Sequence, residues 1–287
     1  MSRASFFTAS DGARLAYELH ASPASSKAAA HTLVLLHGWS GSRRYFDAPL
    51  PFLRDSFPSV VALDLRWHGD SVAGSPPGGC SHVARLAADL HALLEAGVVE
   101  GRVLLCGASM GAAVAWSYAE LFGQRRLAGI VVVDQSPFQN ASPSWSLGSK
   151  GCYDAASLAA LQAALLADLG RFADDNARCC FSLPADVSDA TKNLCKAETL
   201  RCDPSRLGAL MADHTSLDWR PLLPTLTVPI LALHGGASGC FPPEGCAVVA
   251  AMAPCGDAIC MEVCGHWLYI EKPAVFAAHV ASFASRC

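Results

Sequence analysis

Six short runs of Leu and β-branched residues punctuate the chain: Leu33 to Leu36, Val60 to Leu63, Val103 to Cys106, Ile130 to Val133, Ile230 to Leu233 and Ile259 to Val263. They are continuously apolar and end in Gly, Asp or His, which predicts strands buried on both faces. Between them the spacing turns helical. Val83, Leu86, Leu90, Leu93 and Leu94 fall on one helical stripe, as do Val275, Phe276, His279, Val280 and Phe283 behind Pro273, a residue that opens helices. Alternation of strand and helix predicts a mostly parallel, doubly wound sheet covered on both faces. In such a sheet ligands bind outside the carboxyl ends of the strands, so the residues just after each run carry the chemical interest.

One interval breaks this rhythm. From Pro137 to Leu217 there is no buried strand pattern, only helix-like segments such as Ser157 to Leu169. It predicts an insertion that hangs over the carboxyl ends as a helical cap. The expected organisation is a core of residues 1–136 and 218–287 with a cap of residues 137–217. Within the cap, Trp145, Tyr153, Phe172 and Phe181 could line an acyl pocket or fill the cap's own interior. The Ala- and Ser-rich stretch from Ala21 to Ala30 predicts a mobile surface loop.

Composition narrows the function classes. The 287 residues are 52% apolar and 16% charged, ample for a large core, and the formal charge of −4 offers no field for nucleic acid. No apolar run reaches the ~18 residues of a membrane span, because Glu95, Glu100, Arg102 and Glu120 interrupt the most apolar stretch. Polar Thr8, Ser10 and Asp11 close the first residues to a secretory apolar core. The thirteen Cys then read as reduced thiols in a cytoplasmic protein, and without a Cys-x-x-Cys pair they predict no metal site. The cap thiols Cys152, Cys179, Cys180, Cys195 and Cys202 could report oxidation. The expected partner is a small molecule; the pattern says nothing of oligomeric state.

Gly107-Ala108-Ser109-Met110-Gly111 stands between a strand run and the helical Ala112 to Trp116. This is the strand-turn-helix setting of a G-x-S-x-G nucleophile elbow, in which the serine stands free at the sheet edge and flanking glycines admit close-packed chain. Ser109 is the candidate nucleophile and the Met110 N–H a candidate oxyanion donor. His37-Gly38-Trp39-Ser40-Gly41-Ser42, after the first run, offers the Trp39 N–H as a second donor. The candidate base is His266, in Val263-Cys264-Gly265-His266-Trp267 beyond the last run. His37 belongs to the oxyanion loop, His68 to a turn, His82, His91 and His279 to helices, and His234 ends a strand in a structural role.

With these motifs the chain resembles the α/β-hydrolase superfamily over essentially its full length. Asp64-Leu65-Arg66-Trp67-His68-Gly69-Asp70-Ser71 is similar to the family's D-x-R-G-x-G-x-S turn, with Trp67 and Asp70 as departures, and Gly265 to Pro273 matches its G-H-x-x-x-x-E-x-P loop. Leu86 to Leu90 and Val133 to Pro137 most resemble the cofactor-free haloperoxidase-like esterases. The resemblance implies serine hydrolase chemistry on a carboxylic ester or thioester, without metal or other cofactor. It also implies an acid after the Ile230 run, yet Gly235 to Pro242 holds no carboxylate and Ser238 occupies that slot. Asp134, 25 residues beyond Ser109 and one strand over, is the expected substitute, as in many haloalkane dehalogenases. Glu244 and Asp257 are weaker candidates, and a Ser-His dyad is the remaining option. A ligand receptor with slow or single turnover, and a lyase or carbon–carbon cleaving enzyme with the same Ser-His pair, stay open.

Overall fold

The computed structural model describes residues 4–22, 30–76, 78–183 and 186–287. The expected loop at Ala21 to Ala30 falls mainly on residues outside these.

Eight strands form one sheet in the order β1-β2-β4-β3-β5-β6-β7-β8. β1 (Ser5–Thr8) and β2 (Arg14–Ala21) form an antiparallel hairpin, and β2 runs antiparallel to β4 (Ser59–Leu63). β3 (Thr32–Leu36), β5 (Val103–Ala108), β6 (Leu127–Val133), β7 (Ile230–Gly235) and β8 (Gly256–Met261) continue in parallel from β4. The mostly parallel, doubly wound sheet anticipated from the run pattern is therefore present, in the α/β-hydrolase fold that the motif resemblance implies.

Side chains alternate between two cores. Val34 and Leu36 of β3 pack with α2 (Val83–Glu95), α3 (Met110–Phe122) and α8 (Pro243–Met252), while Leu33 and Leu35 pack with α1 (Leu50–Ser56) and α10 (Pro273–Ala284). Burial on both faces explains why these strands read as continuous apolar runs. Strand order reverses between β3 and β5, and the chain leaving both at their carboxyl ends frames a crevice.

Three expectations are corrected. The last strand is not Ile259 to Val263 but Gly256–Met261: its pairing with β7 stops at Met261, and Val263 lies exposed in the turn toward His266. Being an edge strand, β8 is less fully buried than the central ones, which blurs its pattern. The helix read at Ser157 to Leu169 is two, α4 (Ala155–Ala167) and α5 (Leu169–Cys180), broken at Asp168, whose side chain caps α5 by accepting from the Arg171 N–H. Val275 points outward while Phe276, Val280 and Phe283 are buried on the face of α10 against the sheet.

Four helices, α4, α5, α6 (Asp189–Leu200) and α7 (Pro204–Ser216), follow β6 and precede β7. Among the described residues this interval contributes no strand to the sheet. Asp154, Asp168, Ser188 and Asp203 each cap the helix that follows, which is why the chain turns repeatedly here instead of extending.

Candidate active site

Ser109 sits between β5 and α3 with φ 52° and ψ −121°, a left-handed backbone that non-glycine residues rarely adopt. The flanking glycines let the chain close around it. A Cβ on Gly107 would meet the Gly111 carbonyl oxygen at 2.3 Å, and one on Gly111 would meet the Leu36 carbonyl oxygen at 2.2 Å. Gly38 packs against Ser109 Cβ in the same way, at 3.2 Å from its own missing Cβ. The strain is thus held by close packing on both sides.

The loop after β3 is fixed by two neutral imidazoles. His37 Nε2 accepts the Leu65 N–H (3.0 Å) while its Nδ1 faces the Gly38 carbonyl at 2.7 Å, which requires the proton on Nδ1. His68 is bonded likewise, accepting the Ser40 N–H at Nε2 (3.3 Å) and facing the Arg66 carbonyl at Nδ1 (2.8 Å). Burial opposes their charged forms and pushes the two pKa values down to about 4 and about 3. So braced, the loop presents the Trp39 N–H, which has no acceptor among the described residues. Met110 is the first residue of α3, so its N–H is one of the free donors of that helix end. Trp67, at a glycine position of the resembled turn, adopts φ 69° beneath the Arg206 guanidinium, 4.3 Å from its ring. Asp70, the other departure, pairs with Arg43 and with Arg201 at the end of α6.

His266 and Asp134 meet at the same edge. Asp134, fully buried with φ 48°, follows β6, the strand beside β5. Its Oδ2 lies 2.6 Å from His266 Nδ1 and accepts the Ser238 hydroxyl at 2.7 Å, and its Oδ1 accepts the Gly235 N–H at 3.0 Å. Ser238 thus stands against Asp134 rather than against the imidazole. Burial disfavours a charged His266, but the neighbouring Cys240 and the Asp134 hydrogen bond outweigh it, and the pKa is raised well above that of an ordinary histidine. Glu271 steadies the histidine loop by accepting the N–H groups of Gly265 (3.0 Å) and Ser182 (3.1 Å). Ser109 Oγ contacts Gln135 Oε1 at 3.4 Å and makes no hydrogen bond to His266 in this conformation. Such contacts commonly close only when substrate binds.

The other acids lie apart. Glu244 is in the first turn of α8, and Asp257 is exposed near the start of β8, paired with Arg286 at 2.9 Å. His234 is buried near the end of β7 and burial lowers its pKa.

Ser109 and His266 open into one cavity of about 510 Å³ lined by Trp39, Leu161, Phe172, Met211 and Phe241 among others. Of the four aromatic residues considered for its wall, Tyr153 and Phe172 line it, while Trp145 and Phe181 are buried elsewhere. Among the polar wall residues that the sequence did not single out for the site are Cys240, whose Sγ lies 3.7 Å from that of Cys180, Gln139, and His214 of α7. Their common signal was weak, since each reads as an ordinary buried residue until its element is placed.

A serine at a strained strand-to-helix elbow and a histidine–carboxylate pair at the same edge of this sheet are the architecture of the α/β hydrolases. The chain belongs to the alpha/beta hydrolase family, whose profile matches residues 33–279. It is 28% identical over 257 residues to a pimeloyl-[acyl-carrier protein] methyl ester esterase of Edwardsiella ictaluri, covering 88% of this chain and 92% of that one. Its structure is similar to an esterase from Exiguobacterium antarcticum (TM-score 0.88, 18% identity, 98% and 99% of the two chains). A bromoperoxidase from Bacillus anthracis has the same fold (TM-score 0.86, 22% identity, 98% and 99%). The chain thus shares its fold with an esterase and a bromoperoxidase, in keeping with the motif resemblance.

Proposed function

We propose that this chain is a serine hydrolase that cleaves a carboxylic ester of a small, fairly apolar substrate through an acyl-serine intermediate. The observation that carries the reading is the 2.6 Å contact between Asp134 Oδ2 and His266 Nδ1, at the edge where Ser109 and His266 line one cavity. Likeness to methyl ester esterases supports an ester as the bond cleaved.

In this mechanism His266 keeps its proton on Nδ1, bonded to Asp134, which leaves Nε2 as the base. Nε2 takes the Ser109 proton as Oγ attacks the ester carbonyl. The negative oxygen of the tetrahedral intermediate is held by the N–H groups of Met110 and Trp39, and His266 returns the proton to the departing alcohol. Water, deprotonated by the same Nε2, then releases the acid. The steps call for no metal or other cofactor. Residues 137–217 act as a cap that supplies most of the apolar wall around the acyl chain. Thirteen free thiols support a reducing compartment, the cytoplasm.

The test is a p-nitrophenyl ester panel of short and medium acyl chains. Wild type is expected to turn over repeatedly and Ser109→Ala to lose about 10⁶ in kcat. Activity surviving Ser109→Ala overturns the acyl-serine, and a single turnover per site supports a receptor instead.

A further inference from the structure

His214 lies on α7, one turn beyond Met211, and both residues line the cavity that holds Ser109. Its side chain is 3% exposed, and neither ring nitrogen has a hydrogen-bond partner among the described residues. The imidazoles of the oxyanion loop differ, since His37 and His68 have both nitrogens engaged. An unpaired buried polar atom costs about 1–3 kcal/mol, so a purely apolar ligand would leave that penalty standing. Both nitrogens are buried in this conformation, so a ligand oxygen would relieve the penalty once a rotation of the ring turns one of them to the cavity that His214 lines.

The chemistry of that oxygen follows from the surroundings. Burial lowers the His214 pKa to about 4 and the nearby Asp213 offsets this only in part, so the ring is neutral near pH 7. No Lys or Arg is among the lining residues to receive a carboxylate, and Asp175 of the lining already pairs with Arg178. A charged tail is therefore poorly matched. No partner fixes the tautomer, so each nitrogen can donate or accept, and a hydroxyl, which does both, fits either state.

We propose that His214 forms a polar subsite in the otherwise apolar cavity and selects esters that carry a neutral hydroxyl on the arm reaching α7. The proposal rests on the ester hydrolase reading and adds the substrate class to it. The tautomer then settles on binding, and alkyl esters of equal length bind with both nitrogens left dry.

The experiment compares methyl ω-hydroxyalkanoates with methyl alkanoates, and ω-hydroxyalkyl acetates with alkyl acetates, from four to ten carbons. At the length that spans the cavity, wild type is expected to favour the hydroxylated ester in kcat/KM. His214→Leu should reduce that ratio about tenfold, the loss of one hydrogen bond, and His214→Gln, which keeps a donor and an acceptor, should retain most of it. A ratio unchanged within twofold at every length in both series overturns the subsite, as does an equal loss on both esters of each pair. Calorimetric binding of the same esters to Ser109→Ala reads the subsite without chemistry. If wild type hydrolyses none of them, the hydrolase reading fails, and the binding preference alone decides for or against His214.

Discussion

The sheet edge and the helical wall facing it treat buried polar atoms in opposite ways. At the edge the groups that orient the candidate machinery are bonded to protein: the Asp134 carboxylate has four donors around it, and His37 and His68 use both nitrogens. Across the cavity His214 has neither nitrogen engaged. Groups that must be oriented before substrate arrives are bonded to protein, because preorganised dipoles need no rearrangement during reaction. A group that recognises substrate is free to bond it. Catalysis and selectivity are thereby divided between a braced region and an uncommitted one.

Acid is the strongest way to unfasten the braced side. The folded pKa values of His37 and His68, about 4 and about 3, lie below the ordinary 6.5, so between these limits the unfolded chain binds more protons. Their contribution to stability is full above pH 7 and falls as pH drops through 6.5 toward 4. At pH 5 the two together should cost on the order of 4 kcal/mol. Urea unfolding at pH 7 and pH 5 should show His68→Gln losing about 2 kcal/mol less than wild type over that interval. An identical loss in both would mean that the loop is not held by a neutral imidazole.

A smaller effect sharpens the same contrast. Ser238→Ala removes one donor from Asp134 Oδ2 but leaves His266 and the Gly235 N–H in place. Its kcat on p-nitrophenyl butyrate should fall about tenfold, as for one hydrogen bond to a charged group. Unchanged turnover would make Ser238 a plain loop residue.

What the sequence disclosed follows the range of the interactions involved. The elbow was legible because its causes are local: a strand run, glycines on both sides of Ser109 and a helix within a few residues. Asp134 was legible as a candidate through the resemblance, which implies an acid after the Ile230 run where Gly235 to Pro242 holds no carboxylate. Ser238 was noticed in that slot, but its bond to Asp134, 104 residues away, depends on how β6 and β7 align. The break at Asp168 was hidden because apolar spacing runs on across it, whereas the cap is a single side-chain contact. His214 was invisible for another reason: a histidine on a helix reads as an ordinary core or surface residue, and only the cavity beside it gives its unpaired nitrogens a meaning. Trp67 at φ 69° went unforeseen too, since the turn keeps its backbone where the side chain has changed.

The position of the acid is the central claim, and Asp134→Asn tests it most directly, with kcat and kcat/KM on p-nitrophenyl butyrate measured from pH 5 to pH 9 at matched folded concentration. The account predicts a loss on the order of 10⁴ in kcat, because an amide no longer holds the His266 proton on Nδ1. It also predicts the sign of a pH change. Wild-type kcat/KM should rise as His266 deprotonates, with its acidic limb above the ordinary 6.5, and loss of the Asp134 charge should move that limb to lower pH. A folded Asp134→Asn variant with kcat within tenfold of wild type and an unmoved limb would contradict the triad of Ser109, His266 and Asp134.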